Sequence, residues 1–223
     1  MSKHIPLVDV THLHVFDTDG AIREAADTVE RAVSRRGLLR NAGIVAGGAA
    51  AAAVLPGTAW AKGGFGPVDK SILNFALTLE YLEAAFYKRA QENMKLTGEL
   101  KRFAKVVGEH EKAHVVALRK ALGSSAVKRP SFNFGSATRS TSAFVATAIA
   151  LEDTGVEAYQ GQAVNLRSDK LLAAALAIHP VEARHAAWIR YIAGQNPAPD
   201  AFNPAKTKDE VLSVVTATGF IQG

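Results

Sequence analysis

The chain has 223 residues, 48% of them hydrophobic, a formal net charge of +5 and no cysteine. That hydrophobic share supports one substantial core or two small ones, and the missing cysteines exclude iron–sulfur clusters, thiolate zinc sites, disulfides and thiol nucleophiles. Lysines and arginines are spread along the chain with acids between them, which reads as a solvated surface and not as a nucleic-acid stripe.

Residues 1–61 read as a leader, to be kept out of the fold argument. Ser34-Arg35-Arg36-Gly37-Leu38-Leu39-Arg40 has the form of a twin-arginine export motif, and an apolar run from Ala42 to Leu55 follows it. Fourteen residues are too few for a membrane span, which needs about 20. Ala59-Trp60-Ala61 then places small residues around a cut before Lys62. The expectation is a twin-arginine signal peptide, handled by the twin-arginine translocase and carrying the folded protein to the periplasm or beyond, with no stable membrane insertion after cleavage.

The mature chain opens with a glycine-rich lead-in, and Pro67 suits the first turn of a helix. From there to about Asn93 no breaker intervenes, and Ile72, Phe75, Ala76, Leu79, Leu82, Glu83 and Phe86 recur at three-and-four spacing, so one amphipathic helix is expected. Thr97-Gly98 starts a second, ending at Leu122 with Gly123 as its stop signal. Residues 124–139 have the composition of a loop, in which Phe132 and Phe134 are expected to tuck against the core. A loop of this length suits second and third helices that run parallel and are joined by a crossover. A third helix is expected from a Ser140 or Thr141 cap to about Leu166, and a fourth from Ser168-Asp169 to Ile192-Ala193-Gly194. Pro180 lies inside that fourth helix, where a kink or bulge is expected. The domain reading is a four-helix bundle over 67–195 and an irregular extension over 196–223, with a short closing helix capped by Thr207 and Glu210.

Four segments carry the chemistry. Glu111-Lys112-Ala113-His114 recurs as Glu182-Ala183-Arg184-His185, and Glu80 stands seven residues before Tyr87 as Glu152 stands seven before Tyr159. Positions three apart on a helix share a face, and positions seven apart return to nearly the same angle. These faces coincide with the apolar stripes. A carboxylate inside a bundle costs several kcal/mol unless it is paired or binds a metal. Four such carboxylates call for four positive charges, which two divalent cations supply. One Glu from each of two helices and Glu-x-x-His from each of the other two is the ligand set of di-iron and di-manganese carboxylate bundles. The histidines agree: all four of the mature chain's, at 110, 114, 179 and 185, fall in the two Glu-x-x-His clusters.

The neighbours read differently. Glu83 is on a similar face to Glu80, where it serves as an extra ligand or supporting base, or more readily as a partner for Lys or Arg. Glu109 reads as surface, and His110 and His179 as surface residues or supports of the ligands. Tyr87 and Tyr159 are expected to hydrogen-bond across the bundle to the opposite ligands. A rival motif is present: His110-Glu111-Lys112-Ala113-His114 is a literal H-E-x-x-H, the signature of a zinc metalloprotease. That reading leaves the second Glu-x-x-His and both Glu–Tyr pairs without a role.

The segments Leu79–Tyr87, Glu111–Val115, Leu151–Tyr159 and Val181–Ala186 together resemble the ferritin-like domain family of desiccation-related proteins. The resemblance runs over about residues 68–194. It implies an all-α, up-down-down-up four-helix bundle with internal two-fold pseudo-symmetry and a short C-terminal helix. It also implies that Glu80, Glu111, His114, Glu152, Glu182 and His185 are the metal ligands, with Glu111 and Glu182 as the bridging pair, and that Pro180 widens the pocket or displaces Glu182. The function expected is an exported protein holding two iron ions (manganese is the other choice), redox-active toward oxygen, peroxide or Fe(II) and protective under oxidative or drying stress. The alternative is a non-enzymatic binding or stress-protection domain whose metal is structural or absent. The partners expected are a small oxidant or a metal ion, not nucleic acid, with a homo-oligomer left open.

Overall fold

The computed structural model describes residues 64–222; the leader and its export motif lie outside them. Helix α1 spans Pro67–Asn93, α2 Gly98–Leu122, α3 Thr141–Ala163, α4 Asp169–Ile192 and α5 Lys208–Ala217. The breaks fall where local chemistry puts them. Pro67 occupies the first turn of α1, where its missing N–H costs nothing. Gly123 ends α2 at a positive φ of 56°, a conformation open to glycine and strained for other residues. Ser140 caps α3 by accepting from the Ala143 N–H. Thr207 and Glu210 form a full capping box on α5. The third helix stops at Ala163, three residues short of the expected Leu166, where Val164 and Asn165 form a turn. The buried Asp69 carboxylate holds the end of that turn by accepting from the Arg167 N–H at 2.8 Å.

The helices pack as two hairpins, α1 on α2 and α3 on α4, with α1 also against α3 and α2 against α4. Helices α2 and α3 are thus joined by a crossover, and the bundle is all-α with up-down-down-up order. The crossover is not structureless. Its Ser131–Phe132 strand (β1) pairs antiparallel with Ile221–Gln222 (β2), and Phe134 is buried against Phe86 and Phe220. Two-residue strands carry no periodicity, so neither was legible in the sequence. Among the described residues no helix is long and apolar enough to cross a membrane.

The core divides along the bundle. One apolar cluster gathers Phe86, Tyr87, Phe103, Phe144 and Ile189, and the other gathers Leu73, Leu77, Leu118, Leu171 and Ile178. Between these ends, at mid-length, every helix of the bundle contributes buried acids or histidines.

Pro180 does not break α4, which continues from Asp169 to Ile192 with the proline inside it. Pro180 sits on the exposed side, and Leu176, whose carbonyl loses its helical donor, is 55% exposed. Water can satisfy that carbonyl, so the cost stays on the outside of the helix.

Candidate metal centre

Helical phase delivers the ligands. Glu80, Glu111, Glu152 and Glu182 are 0–1% exposed, His185 3% and His114 9%. The tyrosines cross over as expected: Tyr159 donates its hydroxyl to Glu80 Oε1 at 2.5 Å, and Tyr87 donates to Glu152 Oε1. In each helix the Glu precedes the Tyr, so this crossed pairing requires α1 and α3 to run antiparallel. Burial, followed by the charge of the adjacent carboxylate, raises both phenols well above their ordinary pKa. They stay protonated and act as donors.

The remaining oxygens converge on two imidazole nitrogens. His114 Nδ1 lies 3.2 Å from Glu80 Oε2, 3.0 Å from Glu111 Oε2 and 3.1 Å from Glu182 Oε1. His185 Nδ1 lies 3.0 Å from Glu111 Oε1, 3.2 Å from Glu152 Oε2 and 3.6 Å from Glu182 Oε2. Glu111 and Glu182 therefore each offer one oxygen to either histidine. Glu80 serves only the first group and Glu152 only the second. Glu182 is not displaced by Pro180; it takes its place opposite Glu111.

These distances are compatible with a metal site. One N–H can serve one acceptor well, yet three oxygens crowd each Nδ1. Glu111 Oε1 and both oxygens of Glu182 are buried with no well-formed hydrogen bond, at a cost of about 1–3 kcal/mol for each such group. Oxygen and nitrogen ligands held about 2.0–2.1 Å from a common ion at right angles stand about 3 Å from one another. Glu80, Glu111, His114 and Glu182 can hold a metal ion, and so can Glu111, Glu152, Glu182 and His185. The set has carboxylate and imidazole donors and no sulfur, which fits a divalent metal ion.

Without a metal, protons have to balance the charge. Burial, the largest effect on His185, opposes its charging, but the carboxylates of Glu111, Glu152 and Glu182 crowded around its Nδ1 outweigh it and push the imidazole up to about 12. His114 is likewise raised: burial opposes, and Glu80, Glu111 and Glu182 prevail. Burial and the charge of Glu182 raise Glu111 well above the carboxylate range. Against its own burial, Glu182 is held down to about 2 by the close approach and positive charge of His114 and His185.

Two residues belong to the centre more closely than their sequence context suggested. Glu83 is no surface partner of Lys or Arg. It is buried, and its carboxyl is raised by burial and then by Glu152, Glu182, Glu111 and Glu80. Its counterpart in the second half, Gly155, faces it: a Cβ at 155 would stand 3.4 Å from both Glu83 Oε1 and Glu182 Oε2, in van der Waals contact with each. The available signal was Glu83's place in the α1 apolar stripe together with a glycine at the matching position. His110 is exposed, yet its Nδ1 lies 2.8 Å from His185 Nε2, fixing the ring whose other nitrogen faces the acids. It belongs to neither four-residue group, so the two histidines of H-E-x-x-H do not converge on one ion position. Tyr87, Tyr159 and Glu83 thus lie around the six central residues, Glu109 is exposed, and His179 is half-buried without joining either group.

Comparison with known proteins agrees with this architecture. No curated protein matches the chain. The sequence model of the ferritin-like domain matches residues 68–195, from the first turn of α1 to just past α4. That span takes in more than half of the chain and all six central residues, and the chain belongs to the ferritin-like domain family.

Proposed function

We propose that this is an exported di-metal carboxylate protein of the desiccation-related type, which holds two iron ions and works as a redox protein on oxygen, peroxide or Fe(II). One observation carries the reading: Glu111 and Glu182 each reach both His114 and His185, so the two ligand groups share two carboxylates, as two adjacent ions require. Glu80, Glu111, His114 and Glu182 would hold one ion, and Glu111, Glu152, Glu182 and His185 the other, with manganese as the other candidate metal. Bound iron supplies one-electron steps toward a small oxidant. The chain's own residues do the rest. Tyr159 and Tyr87 orient Glu80 and Glu152 through their hydroxyls. His110 orients His185. Glu83, with its raised pKa, holds a proton beside Glu182. The apolar clusters on either side exclude bulk water. Ser34–Arg40 and the apolar run after it support passage through the twin-arginine translocase to the periplasm or beyond, and a role there against drying or oxidative stress.

The test is an activity screen. Protein exported by its native organism, analysed for metals and then assayed for Fe(II) oxidation and peroxide consumption, is expected to contain iron and to turn over at least one of these substrates. Protein that carries two ions per chain and does neither would leave a structural metal in a non-enzymatic domain.

A further inference from the structure

The two halves of the centre are alike in their ligands and unlike in what lies behind them. Tyr87 is fully buried, and the rings of Phe86, Phe103 and Phe144 close around it at centroid distances of 5.2, 5.7 and 6.1 Å. Its counterpart Tyr159 lines a partly open cavity of about 30 Å³ to which all four helices of the bundle contribute. Phe75, Leu79, Leu171 and Ile178 contribute to the wall, and apart from Tyr159 and Gln162 every lining residue is apolar. The Tyr159 hydroxyl is already committed to Glu80, so Gln162 brings the one side-chain amide. A water molecule needs two to four polar partners, more than these walls offer, and apolar cavities take up apolar guests such as xenon. The volume admits one small molecule, and the chemistry selects an apolar one.

We infer that this cavity is the binding and entry site for dioxygen on the Glu80 side of the centre, and that dioxygen, not peroxide, is the oxidant it admits. Peroxide would have to leave most of its hydrogen bonds behind in water, at a cost the walls do not repay. Dioxygen has none to lose. Leu79 lines the cavity and precedes Glu80 in α1, so a guest there is one aromatic ring and one backbone step from the acids. On the Glu152 side the rings of Phe86, Phe103 and Phe144 occupy the space around Tyr87. This inference rests on the redox reading above.

Crystals of the protein under xenon pressure test the site, and Ala175→Leu, a half-buried wall residue outside the metal centre, tests the route. Leu166→Phe, on the same wall, is the second variant should the first fail to fold. Xenon is expected beside Tyr159 in the parent protein and not in the variant. In protein loaded with Fe(II), the variant is expected to slow oxidation by dioxygen about tenfold and to leave oxidation by peroxide within about twofold of the parent rate. Absence of xenon from the cavity overturns the inference, as does an equal effect, or none, on the two oxidants. A protein that holds two ions but no xenon loses this route alone. One that takes up xenon but holds no iron overturns the redox reading and the route with it.

Discussion

Glu111 and Glu182 differ from the other acids of the centre in the number of partners each can reach, and that difference is measurable. Either of these two carboxylates touches both histidines, whereas Glu80 and Glu152 each touch one. Metal analysis after desalting is expected to show that Glu111→Ala or Glu182→Ala abolishes retention of both ions, while Glu80→Ala or Glu152→Ala removes one. The tyrosines make a second case. Tyr159→Phe strips Glu80 Oε1 of its donor inside the bundle, and Tyr87→Phe does the same to Glu152 Oε1. Chemical denaturation of the metal-free protein should report a loss of about 1–3 kcal/mol for each. Glu83 shows where reading from sequence ran short. Helical phase placed it on the inner stripe, but the choice between ion pair and buried acid depended on what stands opposite, and Gly155 comes from another helix 72 positions along the chain.

At the scale of elements, four helices were legible because three-and-four spacing, a first-turn proline and stop glycines agreed over more than twenty residues each. The crossed Glu–Tyr pairs follow from the same periodicity. Pro180 was legible as an irregularity but not as a harmless one, since sequence alone did not place its ring on the solvent side. Replacing it tests that account: Pro180→Ala restores a backbone bond on an exposed face. It is expected to raise stability by up to about 3 kcal/mol with no change in metal content, read by thermal unfolding and elemental analysis. The segment before α5 is held by a close approach that nothing local announces. The Lys206 backbone donates to the Glu157 carbonyl and its Nζ pairs with Glu157 at 2.6 Å, while a Cβ at Gly161 would fall 1.9 Å from the Lys206 carbonyl oxygen. Gly161→Ala must therefore push this strap off α3, at a cost of about 1–3 kcal/mol. The same variant should speed proteolysis in residues 196–207 and leave the metal centre intact.

For the whole molecule the decisive balance is between protons and metal in a buried, acid-rich band. His185 in the metal-free protein has a folded pKa of about 12, far above its unfolded value of about 6.5. The stability it contributes is fully present below pH 6.5 and is lost progressively as pH rises toward 12. His114 and the raised carboxyls of Glu111 and Glu83 act in the same direction. Glu182, depressed to about 2, acts oppositely, losing its contribution only in strong acid. The metal-free protein is thus expected to melt at progressively lower temperature as pH climbs above 6.5. The loaded protein should resist that loss, because bound cations replace the protons, and should release its metal in acid. Melting curves of both forms across pH 5–9 check the divergence. The central claim itself is a number of ions per chain. Anaerobic titration of the metal-free protein with Fe(II), followed by calorimetry, measures it directly. Two equivalents bound, with protons released as each enters, is the result this structure predicts. A single equivalent that survives replacement of Glu182 and His185 but not of His110 would contradict it.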